Sequence, residues 1–157
     1  MRILSQKHIK YLLVLYMLFC FYLYVFKSFN IYEISDRINS FKWNKELGAN
    51  AINLTPFNTL RVLILHIGEN WALKNILAST LVLTPFGLAY PIVIENSNYL
   101  STLGFGILFA ICIEFTRYYL CLGSIDIDDI ILNAIGCSLG YLFYLLYSYI
   151  FQRKFKK

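Results

Sequence analysis

The sequence predicts an all-α integral membrane protein: a bundle of about four transmembrane helices with both termini in the cytoplasm. Hydrophobic residues make up 59% of the 157 residues and charged residues 15%, whereas soluble domains average roughly 45–50% and 25%. Four apolar stretches are long enough to cross about 30 Å of hydrocarbon. Basic residues crowd both ends of the chain, which is typical of cytoplasmic tails. This balance argues against a soluble enzyme, a disordered tail and a disulfide-stapled secreted domain.

The four predicted spans cover residues 9–29, 76–94, 103–122 and 130–151 of a single domain, 1–157. The first is interpreted as an uncleaved anchor, because residues 27–30 offer no small-residue cleavage site. Pro85, in the second, predicts a kink. Between these two spans, residues 60–67 form an apolar stretch too short to cross, which is expected to lie in the interface or over the bundle. Four crossings return the chain to its starting side, in agreement with the basic tails.

The placement of the basic residues also bears on possible partners. The formal net charge is +5, but half of the 14 basic residues flank the outermost spans instead of forming a patch for nucleic acid. No nucleic-acid partner is therefore expected. The tail residues are Arg2, Lys7, Lys10, Arg153, Lys154, Lys156 and Lys157. The four cysteines lie inside predicted spans without a C-x-x-C pair and are interpreted as small packing residues.

Three aspartates, Asp126, Asp128 and Asp129, crowd the short link before the fourth span, on the predicted outer side. Helix capping explains one of them, since a carboxylate at a helix N-terminus accepts hydrogen bonds from free amides. Three acids without a basic neighbour in the link are harder to explain by capping alone. Carboxylates suit hard cations, so a divalent-ion site stays open here, although no cofactor is predicted.

The third span carries two charged residues, Glu114 and Arg117, one turn apart on the same helix face. They can form an ion pair that holds the span against its neighbours. Ionisable residues inside a membrane are costly, which makes them a functional-site hypothesis by default. Both interpretations remain open at this point.

The fourth span places Asp129, Asn133, Gly136 and Gly140 on one stripe, because they are spaced by four, three and four residues. The two glycines allow close helix packing, and Pro85 and Gly87 of the second span are assigned to packing as well. The two polar residues continue the acidic link into the bundle. The candidate outer-face polar site comprises Glu114, Arg117, Asp126, Asp128, Asp129, Asn133, Asn75 and Asn53.

Several of these residues, in their order along the chain, resemble the VanZ-like family of bacterial membrane proteins. The resemblance extends over about residues 53–141 and is strongest in the stretch D-I-D-D-I-I-L-N, which ends at Asn133. The chain departs from the family pattern in three places. Arg117 stands where the family commonly has Gln, Ser79 where it often has Asn, and no Arg precedes the D-I-D-D run. The other matching pieces are residues 53–57, Asn75, residues 85–87, residues 113–114, Gly136 and residues 140–141.

The resemblance implies a multi-pass protein of the bacterial cell membrane that serves the cell envelope and is associated with low-level teicoplanin resistance. Its partners would be the lipid bilayer and a lipid-linked envelope molecule or a glycopeptide, with the outer-face polar site as the contact. Two alternatives stay open: an integral membrane enzyme acting on a lipid-linked envelope substrate, and a small transporter or structural membrane subunit. The sequence contains no G-x-S-x-G, H-E-x-x-H or phosphate-loop motif.

Overall fold

The computed structural model describes residues 6–26, 39, 52–120 and 124–155. Outside this set lie the ends of the first and third predicted spans, Cys121, and the basic tail residues Arg2, Lys156 and Lys157. The described helices are α1 (Gln6–Phe26), α2 (Asn58–Leu65), α3 (Asn70–Leu81), α4 (Thr84–Val93), α5 (Tyr99–Tyr119) and α6 (Ile127–Phe155). Two short strands, β1 (Ile52–Asn53) and β2 (Ile125–Asp126), pair in parallel.

Three helical units of the described chain are long and apolar enough to cross a membrane: Asn70–Val93, Tyr99–Tyr119 and Ile127–Ile150. A shorter apolar helix, His8–Leu23, lies within α1. This arrangement confirms the predicted all-α membrane class.

Three spans begin earlier than predicted, two of them for a local reason. The third begins at Tyr99 instead of residue 103, because Asn98 and Ser101 form a reciprocal capping box that starts α5 earlier. The fourth begins at Ile127 instead of residue 130, because the Asp126 side chain accepts a hydrogen bond from the Asp128 amide at 2.9 Å. The second begins six residues early, at Asn70.

The expected kink at Pro85 is a break between two helices. α3 ends at Leu81, and α4 starts at Thr84 with Pro85 in its first turn. Proline is tolerated there, since the first amides of a helix have no partner within it. Tyr16 of α1 donates its hydroxyl to the Val82 carbonyl at 2.6 Å, which fastens the break to the first helix.

The helices alternate in direction. α6 runs parallel to the α3–α4 unit, because Asp129 near the start of α6 contacts Ser79, and Gly140, further along α6, lies against Thr84, further along the unit. α5 runs the opposite way, with Tyr99 hydrogen-bonded to Ser138 and Arg117 close to Asp129. α1 is likewise antiparallel to α4, since Tyr16 contacts Val82 and Lys10 lies near Val93. The start of α1 and the end of α6 therefore lie at one end of the bundle, and the three aspartates lie at the other, called the aspartate end below.

Glycines allow α6 to pack backbone to backbone against α3 and α4. A Cβ atom on Gly136 would lie 1.7 Å from the Thr80 carbonyl oxygen, one on Gly140 would lie 2.0 Å from the Thr84 oxygen, and one on Gly87 would lie 2.0 Å from the Cys137 oxygen. The hydrophobic core fills the space beside this contact with Leu13, Leu83, Phe86, Ala110 and Cys137. This close approach brings the start of α6 next to α3.

Candidate functional site

Asp126 ties three elements together at the aspartate end. Its Oδ1 accepts from the Asp128 amide and, at 3.3 Å, from Asn53 Nδ2. Its Oδ2 accepts from the Thr59 hydroxyl at 2.5 Å, and Asn53 also donates to Thr59 at 3.0 Å. The parallel pairing of Asn53 with Asp126 across β1 and β2 brings these side chains together. Sequence reasoning missed Thr59, because it reaches Asp126 from 67 residues away.

Asp128 is the N-terminal cap of a helix to which it does not belong. Its Oδ1 accepts from the Phe57 amide at 2.6 Å and its Oδ2 from the Leu60 amide at 2.9 Å. α2 has no side-chain cap of its own, and its N-cap residue Phe57 has a left-handed backbone with φ of 67°. The carboxylate is 1% exposed, and the positive end of the α2 dipole favours its negative charge. Asp128 therefore holds α2 onto the bundle.

An Asp128→Asn variant is expected to loosen α2. The amide side chain keeps one acceptor oxygen and turns an NH₂ group toward a backbone donor, so one buried amide loses its partner, at a cost of about 1–3 kcal/mol. Hydrogen exchange of the Phe57 and Leu60 amides should accelerate, while Glu95→Gln at an exposed position should leave both rates unchanged. Equal exchange in the two variants would show that Asp128 does not hold α2.

A second group of polar residues lies deeper, between α3, α5 and α6. Arg117 Nη1 donates to Glu114 Oε1 at 2.9 Å and lies 3.8 Å from Asp129 Oδ2. Ser79 donates its hydroxyl to Asp129 Oδ1 at 3.0 Å, and Asn133 Nδ2 donates to the Asp129 carbonyl at 2.8 Å. These five residues, Ser79, Glu114, Arg117, Asp129 and Asn133, are called the charge cluster.

The charge cluster contains two buried acceptors without a donor. Glu114 Oε2 and Asn133 Oδ1 have no hydrogen-bond partner in the described structure, although their residues are only 2% and 3% exposed. Buried polar atoms are nearly always paired, and an unpaired one is costly. The side chains of Arg117 and Asp129 are 26% and 28% exposed. The cluster is thus buried at Glu114 and Asn133 and reaches the surface at the other two residues.

The structure brings together seven of the eight predicted site residues in these two adjoining groups, and leaves one apart. Asn75 is exposed and lies one turn before Ser79 on α3. Ser79 makes the contact instead. Sequence reasoning noted Ser79 as a departure from the family pattern, but did not place it in the site.

The described residues contain no group of three or more His, Cys, Asp and Glu side chains that could hold a metal ion. Both oxygens of Asp126 and of Asp128 already accept hydrogen bonds from the fold. The three aspartates therefore have different surroundings, and Asp129 alone belongs to the charge cluster.

Comparison with known proteins places this arrangement in a family. The profile of VanZ/LLP1 matches residues 13–150, which is most of the chain and includes both polar groups. The chain belongs to the VanZ/LLP1 family. It is also similar to Protein VanZ of Enterococcus faecium, with 24% identity over 134 residues that cover 85% of this chain and 71% of that protein. No solved structure matches. The family resemblance predicted from the sequence is confirmed, and this VanZ/LLP1 protein carries its charge cluster within the matched region.

Proposed function

We propose that this VanZ/LLP1 protein is a multi-pass protein of the bacterial cell membrane that lowers susceptibility to teicoplanin to a small degree. It does so without catalysis, by engaging a lipid-linked envelope molecule or the glycopeptide itself through the charge cluster. The positive-inside rule orients the aspartate end toward the outer leaflet, where such molecules are met.

One observation carries the proposal: Glu114 and Asn133 each hold a buried acceptor without a donor beside an ion pair in a predicted membrane span. A purely structural network gains stability when all its members are paired, and a partly paired one is less favourable than apolar packing. Charged residues at membrane depth commonly mark a functional site. The unpaired acceptors therefore favour a ligand as the missing partner.

The test is the teicoplanin and vancomycin susceptibility of a sensitive Gram-positive host that expresses the wild type, Glu114→Gln or Asp129→Asn. We expect the wild type to raise teicoplanin tolerance and each variant to lose most of it, because each removes a negative charge from the cluster. Glu95→Gln makes the same chemical change at an exposed position and should behave as the wild type.

Immunoblots of the membrane fraction must show equal abundance of all four proteins. Wild-type tolerance that survives in Glu114→Gln and in Asp129→Asn would contradict the role of the charge cluster. A wild type that is abundant but leaves teicoplanin susceptibility unchanged would contradict the resistance proposal itself.

A further inference from the structure

The hydrogen-bonding atoms of the charge cluster identify what is missing from it. Ser79 and Asn133 each donate a hydrogen bond to Asp129, and Arg117 donates one to Glu114. Its unmatched atoms are acceptors, namely Glu114 Oε2 and Asn133 Oδ1. Asp129 Oδ2 adds a third, since its nearest cationic nitrogen is 3.8 Å away, which is beyond hydrogen-bond distance.

The residues that carry these three acceptors are linked through Asp129 and Arg117. Asn133 is anchored to the Asp129 carbonyl, so its free oxygen lies beside Asp129. The Glu114 carboxylate is held by the same guanidinium that lies near Asp129. About a quarter of the Arg117 and Asp129 side chains is exposed, so the cluster reaches the protein surface at these two residues.

The formal charges of the cluster sum to a negative value, which also favours a cationic partner. Two carboxylates, Glu114 and Asp129, face a single guanidinium, and Asp126 and Asp128 add negative charge close to Asp129. In the part of the chain that the structure describes, the ion pairs of the cluster all use Arg117. A cation with several N–H donors would offset this negative surplus and pair the unmatched acceptors, whereas an anionic group would add to the surplus.

We infer that the charge cluster recognises a primary ammonium group, which offers three N–H donors and one positive charge to Glu114 Oε2, Asn133 Oδ1 and Asp129 Oδ2. This inference rests on the proposed function and specifies its ligand chemistry. Two kinds of molecule at the bacterial envelope would carry such a group: a lipid with an amine head group, or a glycopeptide with a free amine. A quaternary ammonium or an acetylated amine lacks the three donors and is rejected.

The experiment uses the full-length protein in phosphatidylglycerol nanodiscs, with binding measured by isothermal titration calorimetry. One arm compares short-chain phosphatidylethanolamine with phosphatidylcholine of the same acyl chains. The other arm compares teicoplanin with its amine-acetylated derivative. In whichever arm contains the true ligand, we expect the primary amine to bind at least about tenfold more tightly than its blocked counterpart. Blocking the amine removes its charge-assisted hydrogen bonds.

The wild-type comparison needs no variant and so does not depend on how a variant folds. Glu114→Gln and Asp129→Asn should each reduce the preference for the primary amine severalfold, while Glu95→Gln should retain it. Equal binding of amine and blocked probes in both arms would overturn the inference, as would a preference that persists in the Glu114→Gln, Asp129→Asn double variant.

Different results would contradict the proposed function and the proposed ligand class. Loss of teicoplanin tolerance in the charge-cluster variants without any amine preference would uphold the functional proposal and overturn the ligand class. An amine preference that depends on Glu114, in a protein that confers no tolerance, would uphold the ligand class and overturn the resistance proposal.

Discussion

A Gly136→Ala substitution is expected to destabilise the bundle strongly, by about 1–3 kcal/mol or more. The added Cβ would lie 1.7 Å from the Thr80 carbonyl oxygen, which is a backbone atom of α3 and cannot move away as the end of a flexible side chain can. Overpacking a well-packed contact costs roughly this amount, and it outweighs the gain of about 1 kcal/mol that alanine has over glycine within a helix. Thermal unfolding in detergent, followed by circular dichroism, measures the effect.

Gly104→Ala provides the matched control. Gly104 lies in α5, where an added Cβ would meet no heavy atom within 4 Å. The same chemical change should there leave the unfolding temperature unchanged or raise it through helix propensity. Equal unfolding temperatures for the two variants would contradict the close approach of α6 to α3.

An Arg117→Glu variant should lose the proposed teicoplanin tolerance completely, while Arg117→Lys should retain part of it. Glutamate would place a third carboxylate beside Glu114 and Asp129 and remove their shared cation. Breaking a buried ion pair by removing one partner costs about 3–5 kcal/mol. Lysine keeps the positive charge but lacks the planar guanidinium, which in the structure hydrogen-bonds to Glu114 and lies 3.8 Å from Asp129.

Susceptibility and membrane abundance are to be measured together for these two variants. Tolerance that is equal in Arg117→Glu and Arg117→Lys, at equal abundance, would show that the charge at this position does not matter. A fall in abundance confined to Arg117→Glu would assign the ion pair a role in stability, which the unfolding temperature of the purified protein measures independently.

Helix periodicity explains why the sequence predicted much of the charge cluster. Glu114 and Arg117 are three residues apart, and Asp129 and Asn133 are four apart, so each pair shares a helix face wherever the helix packs. The hydrogen bonds of both pairs in the structure follow from that spacing. Ser79 was not placed in the cluster because the depth of α3 relative to α6 is set by the glycine contact, which no local pattern encodes.

The three aspartates show the limit of such reasoning. They are near neighbours in the chain and look equivalent in sequence, yet Asp126 caps α6 and binds Thr59, Asp128 caps α2, and Asp129 faces Arg117. Capping explains two of them, where the sequence suggested one. The second cap could not be foreseen, because Asp128 belongs to a different helix from the amides that it binds.

The sequence by itself determined the membrane class, the number and order of the apolar segments, and the helix faces that carry charge. These follow from composition and from contacts three or four residues apart, which are local properties. Tertiary structure alone decided which acceptor meets which donor. The Asp128 carboxylate binds amides 71 and 68 residues away, and such partners are fixed by the backbone packing of α6 and the pairing of β1 with β2. The same packing leaves Glu114 and Asn133 with unmatched oxygens, because burial is settled by the whole bundle and not by the residues beside them.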